Sequence, residues 1–215
     1  MTEVRFFFDF LSPYSCLALM RAEAFEREHS VRFLLRPVPL GTLLDHHEIK
    51  GAGVVPAKRA YVAADIQRVA ELQGVEIPGP PVHPFMSFDA LRVAVLFGDN
   101  PRCLELCREL ATRCWSGGAD LADRKVLAGV VTSVGLDATD LDTRLLNRDI
   151  KRTIRAHTAE ALELGVFGVP TFALGEELFW GQDRMDSLAS RIAGEVASPL
   201  ARAADMLSRG ATLEP

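Results

Sequence analysis

The ten residues Phe6-Phe7-Phe8-Asp9-Phe10-Leu11-Ser12-Pro13-Tyr14-Ser15 constrain the fold more than any other stretch of the chain. An apolar run suited to a buried strand stops at Ser12, and Pro13 opens a helical pattern that continues to residue 29. Ser12 suits the N-cap and Pro13 the first helical position, where a missing N–H costs nothing. The free amides of the first turn then converge on a small pocket that favours an anion, a thiolate included.

A strand is expected over residues 3–10, a helix over 13–29 and a second strand over 31–36. This β-α-β opening makes the two strands parallel, and parallel strands need cover on both faces. From Pro39 the pattern is helical for about a hundred residues, broken near residues 51–56, at Pro78-Gly79-Pro80-Pro81 and at Gly117-Gly118. Gly135 marks a helix end, with Asp137 or Thr139 as caps for the next helix, and residues 143–163 read as one long helix. Short strands follow at 169–174 and 177–180 around a Gly175-Glu176 turn, then a helix at 184–197 and an Ala-rich helical tail at 199–209.

At 215 residues and 48% hydrophobic, the chain can bury a substantial core without staples. Its net charge of −5, with no run of like charges, argues against nucleic acid or an anionic membrane surface as the main partner and favours a small molecule. No segment reads as a signal peptide or membrane span, and Cys16, Cys103, Cys107 and Cys114 suit free thiols in a reducing compartment, so a cytoplasmic location is expected. Cys103 and Cys107 stand at i,i+4 spacing, but no histidine pattern completes a metal site and none is expected. Cys16 lies just past Ser15, where burial against the sheet is the ordinary reading and attack on a disulfide the sharper one.

The Ser-Pro-Tyr-Ser tetrapeptide after Phe-Asp-Phe, Gly165-Val166-Phe167-Gly168-Val169-Pro170-Thr171-Phe172, and Phe179-Trp180-Gly181-Gln182-Asp183-Arg184 together resemble the 2-hydroxychromene-2-carboxylate isomerases and the related kappa-class glutathione transferases. Pro56-Ala57-Lys58-Arg59-Ala60-Tyr61 matches as well, so the resemblance spans most of the chain. It implies an α/β fold, a thioredoxin-like sheet domain interrupted by an all-helical insertion. The expected segments are 1–40 and 149–198 for the thioredoxin-like parts, 41–148 for the insertion and 199–215 for a helical tail. Disulfide oxidoreductases of that superfamily carry Cys-x-x-Cys where this chain has Ser12 to Ser15, so exchange through those positions is excluded.

The resemblance implies glutathione as cofactor, an aromatic small-molecule substrate and a homodimer. Ser12 is then the catalytic residue, donating a hydrogen bond that favours thiolate over thiol, although a helix cap alone would account for a serine there. Val169 and Pro170, the latter in a cis bond, present backbone to the tripeptide. Gln182, Asp183 and Arg184 hold its γ-glutamyl end, and Lys58 its glycyl carboxylate or an acidic substrate. Each has an ordinary alternative: a strand-entry proline, an acidic residue at a helix start, a solvated helix face formed by Lys58, Tyr61, Asp65 and Arg68. Pro13, Tyr14, His83, Phe85, Met86 and Trp180 would border the substrate, while His46, His47 and His157 are expected to be surface or core histidines. Two departures stand out: relatives often have Asn in the loop before Pro56, where this chain has Gly51-Ala52-Gly53-Val54-Val55, and many have Asn at Met86. The implied activity is isomerisation through reversible thiolate addition; conjugation or reduction of small electrophiles, and a binding module without activity, are the other two classes considered.

Overall fold

A computed structural model describes residues 1–210, so the end of the expected tail, 211–215, lies outside the described residues. Strand β1 (Thr2–Phe8) leads through the Ser12 loop into helix α1 (Pro13–His29), which returns to β2 (Val31–Pro37). Helices α2 (Leu40–His46), α3 (Pro56–Leu72), α4 (Phe88–Leu96), α5 (Cys103–Trp115), α6 (Arg124–Ser133), α7 (Leu141–Arg144) and α8 (Arg148–Glu163) follow. The chain closes with the hairpin β3 (Thr171–Leu174) and β4 (Glu177–Trp180), then α9 (Met185–Ile192) and α10 (Leu200–Gly210).

The sheet order is β2-β1-β3-β4, with β1 parallel to β2 and antiparallel to β3, and β3 antiparallel to β4. Central β1 carries no polar/apolar alternation because both of its faces are covered. Phe6 and Phe8 point with Phe33 and Phe172 into the larger core beneath α1 and α5, with ring centroids 4.6–5.5 Å apart. Phe7 turns to the other face, where Val38, Leu43, Ala161, Val166 and Val169 pack around it. Burying each such phenylalanine stabilises the fold by about 1.5–3 kcal/mol, so the apolar run both specifies β1 and fixes the loop that leaves it.

Three local expectations change. The stretch 143–163 is not one helix: α7 ends at Arg144, and α8 restarts after Asn147, whose side chain accepts from the Asp149 N–H at 2.8 Å. Asp137 and Thr139 do not cap α7; Asp140 stands at its N-cap without a side-chain bond, and Asp137 accepts from the Thr139 N–H instead. Asp183 and Arg184 belong to a 3₁₀ turn, Gln182–Arg184, and α9 starts at Met185 and stops at Ile192, ahead of Gly194 at φ +76°.

Candidate functional site

Ser12 takes extended backbone as the N-cap of α1, and its Oγ accepts from the Ser15 N–H at 3.3 Å. Pro13 has no N–H, and the Cys16 N–H bonds the Ser12 carbonyl at 3.1 Å. Among the described residues, that leaves the Tyr14 N–H as the first-turn amide with no partner. The first turn of α1 also contains no acidic side chain, so its positive end is not neutralised from within.

The loop before Ser12 is held on every side. Asp9, buried, accepts from the Leu11 N–H at 3.0 Å and the Leu40 N–H at 2.8 Å, while its own carbonyl accepts from the Ser12 N–H at 3.0 Å. Burial pushes the Asp9 carboxyl up from its ordinary value, against the opposing pull of those amides and of the Ser87 hydroxyl. The Trp115 indole donates to the Phe10 carbonyl at 2.9 Å, and His83 Nε2 lies 3.1 Å from the Leu11 carbonyl with its ring edge-on to Trp115. Residues from α5 and the 83–86 loop therefore clamp the backbone that aims Ser12.

Opposite Ser12 stands the loop before β3. Its Val169-Pro170 bond is cis, and the Val169 carbonyl accepts from Ser12 Oγ at 3.1 Å. The single hydroxyl proton of Ser12 is thus on Val169 and not free, a detail the sequence does not disclose. The Val169 N–H has no partner among the described residues. Gly168 is required by space, since a Cβ there would come 2.9 Å from the Trp180 indole nitrogen; Trp180, half exposed, also packs edge-on against Phe167. Gly181, at φ +112°, turns the chain from β4 into the Gln182–Arg184 segment.

The other expected site residues divide into two groups. Gln182 is buried and its Oε1 accepts from the Gln73 amide at 3.3 Å. Asp183 and Arg184 pair with each other at 2.9 Å, both more than half exposed, and Asp183 is near enough to act electrostatically on Tyr14. Tyr14 does not leave its hydroxyl open to the site, because that group donates to Asp65 Oδ2 at 2.7 Å. Burial, then the hydrogen bond and charge of Asp65, hold the Tyr14 phenol well above its ordinary value. His83 sits one residue from Ser12, with Phe85 half-buried beside it. Lys58 and Met86 are exposed and, among the described residues, have no hydrogen bond, ion pair or ring contact with the rest of the group. Sequence reasoning missed Asp9, Trp115 and Gln73; of these only Asp9 gave a signal, as a lone acid inside an apolar run.

The model of the DsbA-like thioredoxin domain matches residues 3–193. The chain belongs to that family. Within it, this sequence is 27% identical over 196 residues to a 2-hydroxychromene-2-carboxylate isomerase of Pseudomonas putida, covering 87% of this chain and 92% of that protein. It is 27% identical over 200 residues to glutathione S-transferase kappa 1 of Rattus norvegicus, covering 85% and 87%. A solved 2-hydroxychromene-2-carboxylate isomerase structure superposes with a TM-score of 0.80 at 24% identity over 95% of this chain and 99% of its own, a likeness of fold. In this member of the family Ser12 stands at the N-cap of α1, and Cys16, one turn on in the same helix, is fully buried.

Proposed function

We propose that this protein is a glutathione-dependent isomerase resembling 2-hydroxychromene-2-carboxylate isomerase, acting in the cytoplasm on a small aromatic substrate. The observation that carries the reading is a serine hydroxyl at the start of α1 accompanied by two backbone amides without a partner among the described residues, Tyr14 N–H in that first turn and Val169 N–H in the loop opposite. Such a donor set suits a sulfur anion next to an extended peptide, so the residues present fit glutathione. When bound, glutathione would supply a thiolate nucleophile that adds to the substrate and is released again.

The chain's own part follows from its donors. With glutathione bound, Ser12 would turn its proton from the Val169 carbonyl to the sulfur, lowering the cost of the anion while Oγ still accepts from the Ser15 N–H. The Val169 carbonyl and N–H would then hold the cysteinyl backbone in the manner of an added strand. Asp183, with Gln182 and Arg184 beside it, would offer an anion to the γ-glutamyl ammonium, and Lys58 is assigned to the glycyl carboxylate or to an acidic substrate. Pro13, Trp180, His83, Phe85 and Met86 are assigned to the substrate wall. A kappa-type transferase is the alternative, favoured by kappa-class relatives at the same identity as the isomerases.

Glutathione balance decides between them. Turnover of a hydroxychromene carboxylate that needs glutathione and leaves its concentration unchanged is the expected result. Loss of one glutathione per product would make the protein a transferase, and binding with neither would make it a binding module.

A further inference from the structure

Tyr14 is the second residue of α1, and its hydroxyl reaches across to Asp65 in the middle of α3 at 2.7 Å. Both oxygens of that carboxylate are engaged: Arg68 donates to Oδ1 at 2.8 Å, and the same guanidinium lies 5.7 Å from the Tyr61 ring centroid. Asp65 is therefore neither a free base nor a free anion toward the site. A hydrogen bond onto a paired carboxylate is of the stronger, directional kind.

Its place along α3 matters as much as its chemistry. The fully buried residues of α3, Ile66 and Ala70, both follow Asp65, and in the turns before it Val62 packs only partly against the core. The turns before it carry Lys58 and the exposed Tyr61, and follow the 3₁₀ turn Ala52–Val54. At the far end Gln73 bonds Gln182, so α3 is pinned to the Ser12 side by Tyr14 and to the Asp183 side by Gln73. The raised Tyr14 phenol is consistent with an anchor that stays protonated.

We infer that Asp65 is a positioning residue: by holding the Tyr14 hydroxyl it docks α3 onto the start of α1 and sets the width of the space beside Ser12 in which the electrophilic substrate is held. The strut itself follows from the geometry, whereas its effect on substrate rests on the glutathione reading above. Tyr14→Phe removes the donor, Asp65→Ala the acceptor, and Asp65→Asn keeps an acceptor oxygen.

Two measurements test this. In the ligand-free protein, amide hydrogen exchange over residues 56–65 should speed up in Tyr14→Phe and in Asp65→Ala, no further in the double variant, and less in Asp65→Asn. With glutathione saturating, Asp65→Ala should raise KM for the electrophile about tenfold, as loss of a charged hydrogen bond implies, without moving the pKa of the bound thiol. Unchanged exchange, or effects that simply add in the double variant, would overturn the strut. A shifted thiol pKa with unchanged KM would overturn the positioning role. Should the native protein neither bind nor use glutathione, the proposed function falls while the exchange result still judges the strut.

Discussion

Ser12 and Cys16 show how four residues separate two chemistries. A serine oxygen cannot form the mixed disulfide on which exchange depends, and Cys16, the nearest thiol, is fully buried with Sγ directed at the Phe10 carbonyl at 3.5 Å. Burial pushes its pKa well up, with Cys114 and Asp9 adding to the effect, so the thiolate is suppressed. Native protein should therefore fail to catalyse insulin reduction by a dithiol, and Cys16→Ser should behave the same way. Catalysis by the native protein that disappears in the variant would make Cys16 a redox centre and displace Ser12 from the middle of the site. The Ser12 cap and Pro13 were readable in the sequence because capping depends on the nearest few residues. The Tyr14–Asp65 bond was not, although both residues stood in noted motifs, because it joins positions 51 residues apart.

At the scale of elements, α8 is where sequence and structure part most instructively. The apolar periodicity runs through 143–163, but Asn147 caps a new helix and Leu145, fully buried, takes up the bend. Periodicity reports which side chains face the core; it does not report that the axis changes between two helices sharing that core. On α8, His157 faces the sheet with Nδ1 buried and unpartnered. Burial, and secondarily the Arg36 charge, lower its pKa from 6.5 to about 4, which the nearby Pro37 backbone and the Glu160 charge only partly oppose. The unfolded chain takes up this proton near pH 6.5 and the folded chain only near 4, so stability falls as pH drops through that window. Glu160, held down by Arg36 and Arg5 against the upward push of burial, loses its contribution in the same direction as pH falls through its folded pKa. Replacing His157 with Gln should flatten the pH dependence between 6.5 and 4 while leaving the Glu160 loss below it. Urea unfolding at pH 7 and at 4.5 measures this, and an unaltered difference between the two would remove His157 from the acid response.

Across the whole molecule the sheet was the most legible part. A strand buried on both faces, a β-α-β opening and a Gly-centred hairpin leave few arrangements, and the structure adds the order β2-β1-β3-β4, with the hairpin joined to the free edge of β1. The site was legible only as a set of short motifs, since it gathers residues 9–15, Asp65 of α3 and Gln73 at its C-cap, His83, Trp115, Val169 and the Gln182–Arg184 turn from distant parts of the chain. Their union around one hydroxyl is a product of tertiary packing. Among the described residues no helix is long and apolar enough to cross a membrane and no group of side chains is arranged to hold a metal ion. The chemistry of the proposed function rests on how the folded chain treats one sulfur. The most direct test is the ultraviolet thiolate absorbance of the glutathione complex, titrated with pH in the native protein and in Ser12→Ala, whose fold should lose ~1 kcal/mol with the cap and about 1–3 kcal/mol with the donor to the buried Val169 carbonyl. The account predicts a bound thiol more acidic than free glutathione in the native protein and a markedly higher pKa in the variant; the same pKa in both would contradict it.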